Sequence, residues 1–107
     1  MSTTTVKPDL AKLSARLAAN NARVDAFLNS LPSRIDRLVE AALDGDWQTV
    51  QQMSEFIAMS GQSCNCTDLA KTAENVAEQA KSASDSTTLR RSVLRLICEC
   101  GKARPVR

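Results

Sequence analysis

Two closely spaced cysteine pairs, Cys64-Asn65-Cys66 and Cys98-Glu99-Cys100, hold the most reactive side chains of this 107-residue chain. Thiolates attack electrophiles, close disulfides and bind Zn²⁺. Histidine is absent altogether, which removes imidazole as base, nucleophile, phosphoacceptor and metal ligand. A helix of about 24 Å leading away from Cys66 and a return of about 20 Å to Cys98 would bring both pairs to one end of a bundle, at 1.5 Å per residue. Three readings stay open for Cys64, Cys66, Cys98 and Cys100: free buried thiols, disulfides, or a four-thiolate Zn²⁺ site. Against zinc, the C-x-C spacing suits a tetrahedral ion less well than C-x₂-C. Permanent disulfides are unfavourable in a cytoplasmic protein, and cysteine on a core stripe behaves as a small hydrophobe.

A second group of residues is informative for what it lacks. Gly45-Asp46-Trp47 is followed by Val50, Glu55, Ile57, Ala58, Met59 and Leu69. This frame resembles the core of histidine-containing phosphotransfer (HPt) domains, in which Gly-Asp-Trp precedes an Ala-His-x-Leu-Lys-Gly run, a Gly-Ala pair and a further Leu. The resemblance covers roughly residues 24 to 100. It sets Glu55 at the phosphoacceptor position, Ile57 at the Leu, Ala58 at the Lys, Met59 at the Gly and Asn65-Cys66 at the Gly-Ala pair. An ionised carboxylate is a poor substitute for a neutral imidazole, since it is a weaker nucleophile and repels an incoming phosphoryl group. Histidine phosphotransfer is therefore excluded by composition, and no enzymatic activity is expected.

What the resemblance implies is a non-catalytic member of that family. Its expected partners are the receiver domain of a response regulator or a histidine kinase. Helical spacing places Gln51, Glu55, Ala58 or Met59, and Gln62 on the outward side of one helix, with Gln52 and Phe56 beside them. An apolar Phe56-Ala58-Met59 patch around one carboxylate is unusual on a solvated helix. It reads as a docking face, as core covered by the first helix, or as a self-association surface. A metal- or redox-responsive protein using the four cysteines is the competing function, and a helical scaffold or homodimer a third.

These residues must be positioned by helices. Hydrophobic content is 43% and aromatic content only 3%, with glycine and proline three each. Alanine and leucine dominate and no alternating β-branched run appears, so the chain is expected to be all-α. Pro8 starts a first helix carrying Leu10, Leu13 and Leu17. Asn20-Asn21 weakens it, and Val24, Phe27, Leu28 and Leu31 begin a second stripe that Pro32 interrupts or kinks. Ile35, Leu38, Val39, Ala42 and Leu43 continue to Gly45, a left-handed cap. Asp46 caps a helix over Trp47 to about Ser60, with Val50, Met53, Ile57 and Gly61 inward. After a loop over residues 61–65, a helix from Cys66 to about Ser82 turns Leu69, Ala73, Val76 and Ala80 inward. Capping groups at residues 84–87 lead to a last helix, Thr88 to Cys100, closed by Gly101. It carries Leu89, Val93, Leu96, Ile97 and Cys100. Short connections favour antiparallel neighbours. The expectation is an antiparallel up-down four-helix bundle of HPt type over residues 8–101, with an additional N-terminal helix packed across it. Residues 1–7 are read as a flexible tail and residues 102–107 as a basic tail.

Net charge is +2, too small to imply nucleic acid, and neither interleaved aromatics nor a binding motif points there. Its distribution is uneven, with acids concentrated from Asp36 to Glu78 and Arg90, Arg91, Arg95, Lys102, Arg104 and Arg107 near the end. Such a split gives complementary solvated faces or a basic docking surface. No membrane-spanning run and no apolar signal core are present in the sequence, so a cytoplasmic protein is expected.

Overall fold

Side-chain stripes at helical spacing fold as four α-helices in the computed structural model, which describes residues 10–82 and 85–103. These are α1 (Leu10–Leu43), α2 (Trp47–Ser63), α3 (Thr67–Lys81) and α4 (Ser86–Lys102). No strand occurs among the described residues. Packing links α1 to α2, α2 to α3, α3 to α4 and α4 back to α1, the ring of contacts of a helical bundle. Its core is built from Val24, Phe27, Leu31, Leu38, Val50, Ile57, Leu69, Val76, Val93 and Leu96, all buried. The expected tail over residues 1–7 lies outside the described residues, as do residues 104–107.

The helix is not interrupted at Asn20-Asn21, where weakening was expected, nor at Pro32, where an interruption or a kink was expected. A single helix of 34 residues contains Pro32, so no separate N-terminal helix packs across the bundle. Around Pro32, local propensity loses to packing. Phe27 and Leu31 on one side of Pro32 and Leu38 on the other are buried, whereas Pro32 itself is exposed. Anchored flanks hold the helical path although proline removes one backbone donor. At Asn20 the side chain accepts a hydrogen bond from Arg23 Nη2 at 2.9 Å. Every side chain from Ala11 to Arg23 is exposed, so this stretch of α1 projects beyond the bundle. The molecule accordingly measures 66 × 23 × 20 Å with a radius of gyration of 17.9 Å, against about 13 Å for a compact chain of this length.

Two helix ends share one device. Gly45 has φ 72° and Asn65 has φ 60°. Asp46 N–H donates to Ala41 O and Cys66 N–H to Gly61 O, each at 2.8 Å. Gly45 N–H donates to Ala42 O and Asn65 N–H to Gln62 O, each at 3.2 Å. Both are Schellman caps, in which one left-handed residue lets the chain satisfy the last carbonyls and turn back. The cap at Gly45 matches its expectation. The second falls where the sequence predicts a loop over residues 61–65, but α2 continues through Gly61 to Ser63 before Asn65 reverses it.

The starts of α2 and α4 are set by carboxylates. Asp46 accepts from Thr49 Oγ1 at 2.6 Å and Thr49 N at 3.2 Å, and Asp85 accepts from Thr88 N and Oγ1, each at 2.9 Å. These bonds hold both carboxyls below their ordinary range, because they favour the charged form. At the other end, α4 does not stop at Gly101. It runs to Lys102, and Ala103 is buried behind it, so these two residues belong to the bundle and not to a tail.

Candidate functional site

Small residues bring α2 close to α3. Gly61, Ser54 and Ala58 on α2 and Ala70, Ala73 and Ala77 on α3 are all buried. A β-carbon added to Gly61 would lie 3.4 Å from Ala70 Cβ, Ala70 N and Cys66 O. Because α2 is held between α1 and α3, its buried side is broad, and it draws Ala58 inward at 5% exposure. The placement of Ala58 among the outward residues is corrected accordingly. It forms part of the floor of a groove between the helices.

The remaining docking candidates lie on the outer side of α2. Glu55, Gln52, Phe56, Met59 and Gln62 are exposed, and Gln51 is half-buried. Gln51 Nε2 donates to Glu55 Oε2 at 3.3 Å. Met59 is 72% exposed and Phe56 45%. Phe56 is thus neither core nor bare. The Arg34 guanidinium of α1 stacks over its ring, 4.0 Å from the centroid, a cation–π contact. Arg34 Nε donates to Ser30 Oγ at 3.0 Å, and Ser30 Oγ donates to Phe27 O at 2.7 Å. Nothing in the sequence signals this pairing, because Arg34 and Phe56 meet only through packing of α1 on α2.

The groove beside this face is lined by Glu55, Ala58, Met59 and Gln62 of α2 and Glu74, Asn75, Ala77 and Glu78 of α3. Glu74 and Glu78 are new to the site. Their signal was an i, i+4 acid pair on the side of α3 opposite its apolar stripe. Among the described residues neither engages in an ion pair within the chain, where the contact recorded is Lys102 Nζ to Glu99 Oε2 at 3.2 Å.

The cysteines occupy the bundle end where α3 begins and α4 finishes. Cys66, Asp68, Lys71, Glu99 and Lys102 line one cleft there. Cys64, Cys66 and Cys100 are buried, Cys98 is exposed, and all four are free thiols. Cys98 and Cys100 diverge because residues two apart on a helix point to different sides. Among the described residues, no group of three or more His, Cys, Asp or Glu side chains is arranged to hold a metal ion. Burial pushes the Cys100 thiol up to about 11, helped by the Glu99 charge, and raises Cys66 beside Cys64. Thiols are nucleophilic only as thiolates. Alkylation of the native protein at neutral pH should therefore modify Cys98 alone, and denaturant should release the other three. Peptide mass mapping checks this; fast native labelling of Cys100 would contradict the packing.

No helix among the described residues is long and apolar enough to cross a membrane. No family model matches this chain, and no match was found among curated proteins or solved structures.

Proposed function

We propose that this protein is a non-catalytic docking module whose contact face is the outer side of α2. The observation that carries this reading is the exposed pair Phe56 and Met59 flanking Glu55 in the middle of a helix. Large apolar side chains grouped on a solvated face signal an interaction surface, and an aromatic beside a flexible methionine suits an adaptable one. The Gly45-Asp46-Trp47 frame that opens α2 resembles the HPt family, which makes the receiver domain of a response regulator the partner to test first. In this reading the helices run up-down-up-down, as connections of three residues between α1 and α2 and between α2 and α3 favour. Glu55 then stands where a relay would present histidine, so the module engages a receiver without exchanging phosphate.

The test is titration of the full chain with receiver domains from the same cell, by calorimetry. Saturable binding is expected, lost in the double variant Phe56→Asp, Met59→Asp. Both residues are exposed, so the fold should survive, which circular dichroism checks. Binding unchanged in that variant rejects the face. Failure of every receiver to bind rejects the partner.

A further inference from the structure

Among the described residues, three apolar surfaces lack a covering element, and charge distinguishes them. The first is the projecting stretch of α1, where Leu13 is 54% and Leu17 62% exposed. Its thirteen described residues from Ala11 to Arg23 extend about 20 Å. The charged residues there are Lys12, Arg16 and Arg23, with no acid among them. Lys12 and Arg16 sit one turn apart, directly beside Leu13 and Leu17. The second surface is the α2/α3 groove, with Ala58, Met59 and Ala77 for its apolar lining and Glu55, Glu74 and Glu78 around it. Glu74 and Glu78 also sit one turn apart. The third is a cleft between α1 and α4, lined by Leu43, Val93, Leu94 and Ile97 together with Arg90.

We infer that the protein self-associates by arm exchange: the projecting part of α1 from one copy lies in the α2/α3 groove of a second copy. Leu13 and Leu17 meet the alanine floor and Met59, while Lys12 and Arg16 meet Glu74 and Glu78 at the same one-turn spacing of about 6 Å. Charge complementarity selects this occupant and register. Pairing two arms with each other would oppose Lys12, Arg16 and Arg23 to their own copies. Docking an arm in the α1/α4 cleft would set it against Arg90. A two-fold axis lets both arms dock at once, closing the dimer. A lone helix of this length is marginal in water, and the groove gives it a packed surface. The inference stands independently of the receiver reading, although it uses Glu55 and Met59 and so makes self-association and receiver docking mutually exclusive.

Sedimentation equilibrium of the full chain over a range of concentrations tests the arrangement. A monomer–dimer equilibrium is expected, weakening as salt is raised. Leu13→Asp with Leu17→Asp should leave only monomer. Glu74→Lys with Glu78→Lys should raise the dimer Kd at least about tenfold, and adding Lys12→Glu with Arg16→Glu should restore it. All six positions are exposed, and circular dichroism verifies the fold of each variant. A wild-type chain that stays monomeric at every concentration overturns the inference. So does a dimer that ignores the leucine substitutions, or one that the leucine pair abolishes but the glutamate reversals leave unchanged.

Discussion

Gly61→Leu is expected to destabilise the protein by about 3 kcal/mol, near the upper end for overpacking a well-filled interface. The reason is the approach of α2 to α3 at this point. A β-carbon at Gly61 already reaches van der Waals contact, 3.4 Å from Ala70 Cβ and two backbone atoms of α3 and its cap. The branched atoms of leucine would enter the space of the Ala70 backbone, which has no flexible side chain to move aside. Gly61→Ala is the control. It fills the contact without exceeding it, and alanine gains up to about 1 kcal/mol in a helix interior, so the net change should be small. Urea denaturation of the three proteins separates these outcomes. At about 4 °C per kcal/mol for a domain of this size, the leucine variant should melt about 12 °C lower. A leucine variant as stable as wild type would show that α2 and α3 are not in close contact at Gly61.

Ser54→Ala should act in the opposite direction. Ser54 is 0% exposed, on the buried side of α2, and its Oγ has no hydrogen-bond partner in the structure. A buried hydroxyl without a partner costs about 1–3 kcal/mol in desolvation, and alanine is the better helix former by roughly 0.5 kcal/mol. Alanine removes only the oxygen and leaves little void. Stabilisation of about 1–2 kcal/mol follows, as a higher urea midpoint with an unchanged slope. A lower midpoint would mean that the hydroxyl is satisfied in solution, most simply by a bound water.

Some of this architecture was legible in the chain and some was not. Gly45 and Asp46 announce a helix end and a helix start by chemistry acting within one turn, and both do so. The stripes Leu69-Ala73-Val76 and Leu89-Val93-Leu96 likewise point inward as their spacing requires. Pro32 and Asn20-Asn21 misled for the same local reason: their helix-breaking tendency is real, but buried Phe27, Leu31 and Leu38 outweigh it around Pro32. Asn65 gave a weaker signal than glycine because asparagine enters the left-handed region less often. For Phe56, which is exposed, periodicity left core and docking face both open, while Glu55 and Met59 were placed outward correctly. Ala58 was not, since a helix packed against two neighbours buries more than one stripe.

By itself the amino-acid sequence determined the helical class, the two local stop-and-start signals around Gly45 and Asp46, and the absence of any histidine chemistry. These follow from composition or from interactions between residues a few positions apart. Tertiary structure alone decided that α1 runs unbroken and projects from the bundle, that Ser54 and Ala58 face inward, that Arg34 covers Phe56, and that Glu55, Glu74 and Glu78 border one groove. Each of these depends on which helix lies against which, a property of residues distant in the chain that no local spacing encodes.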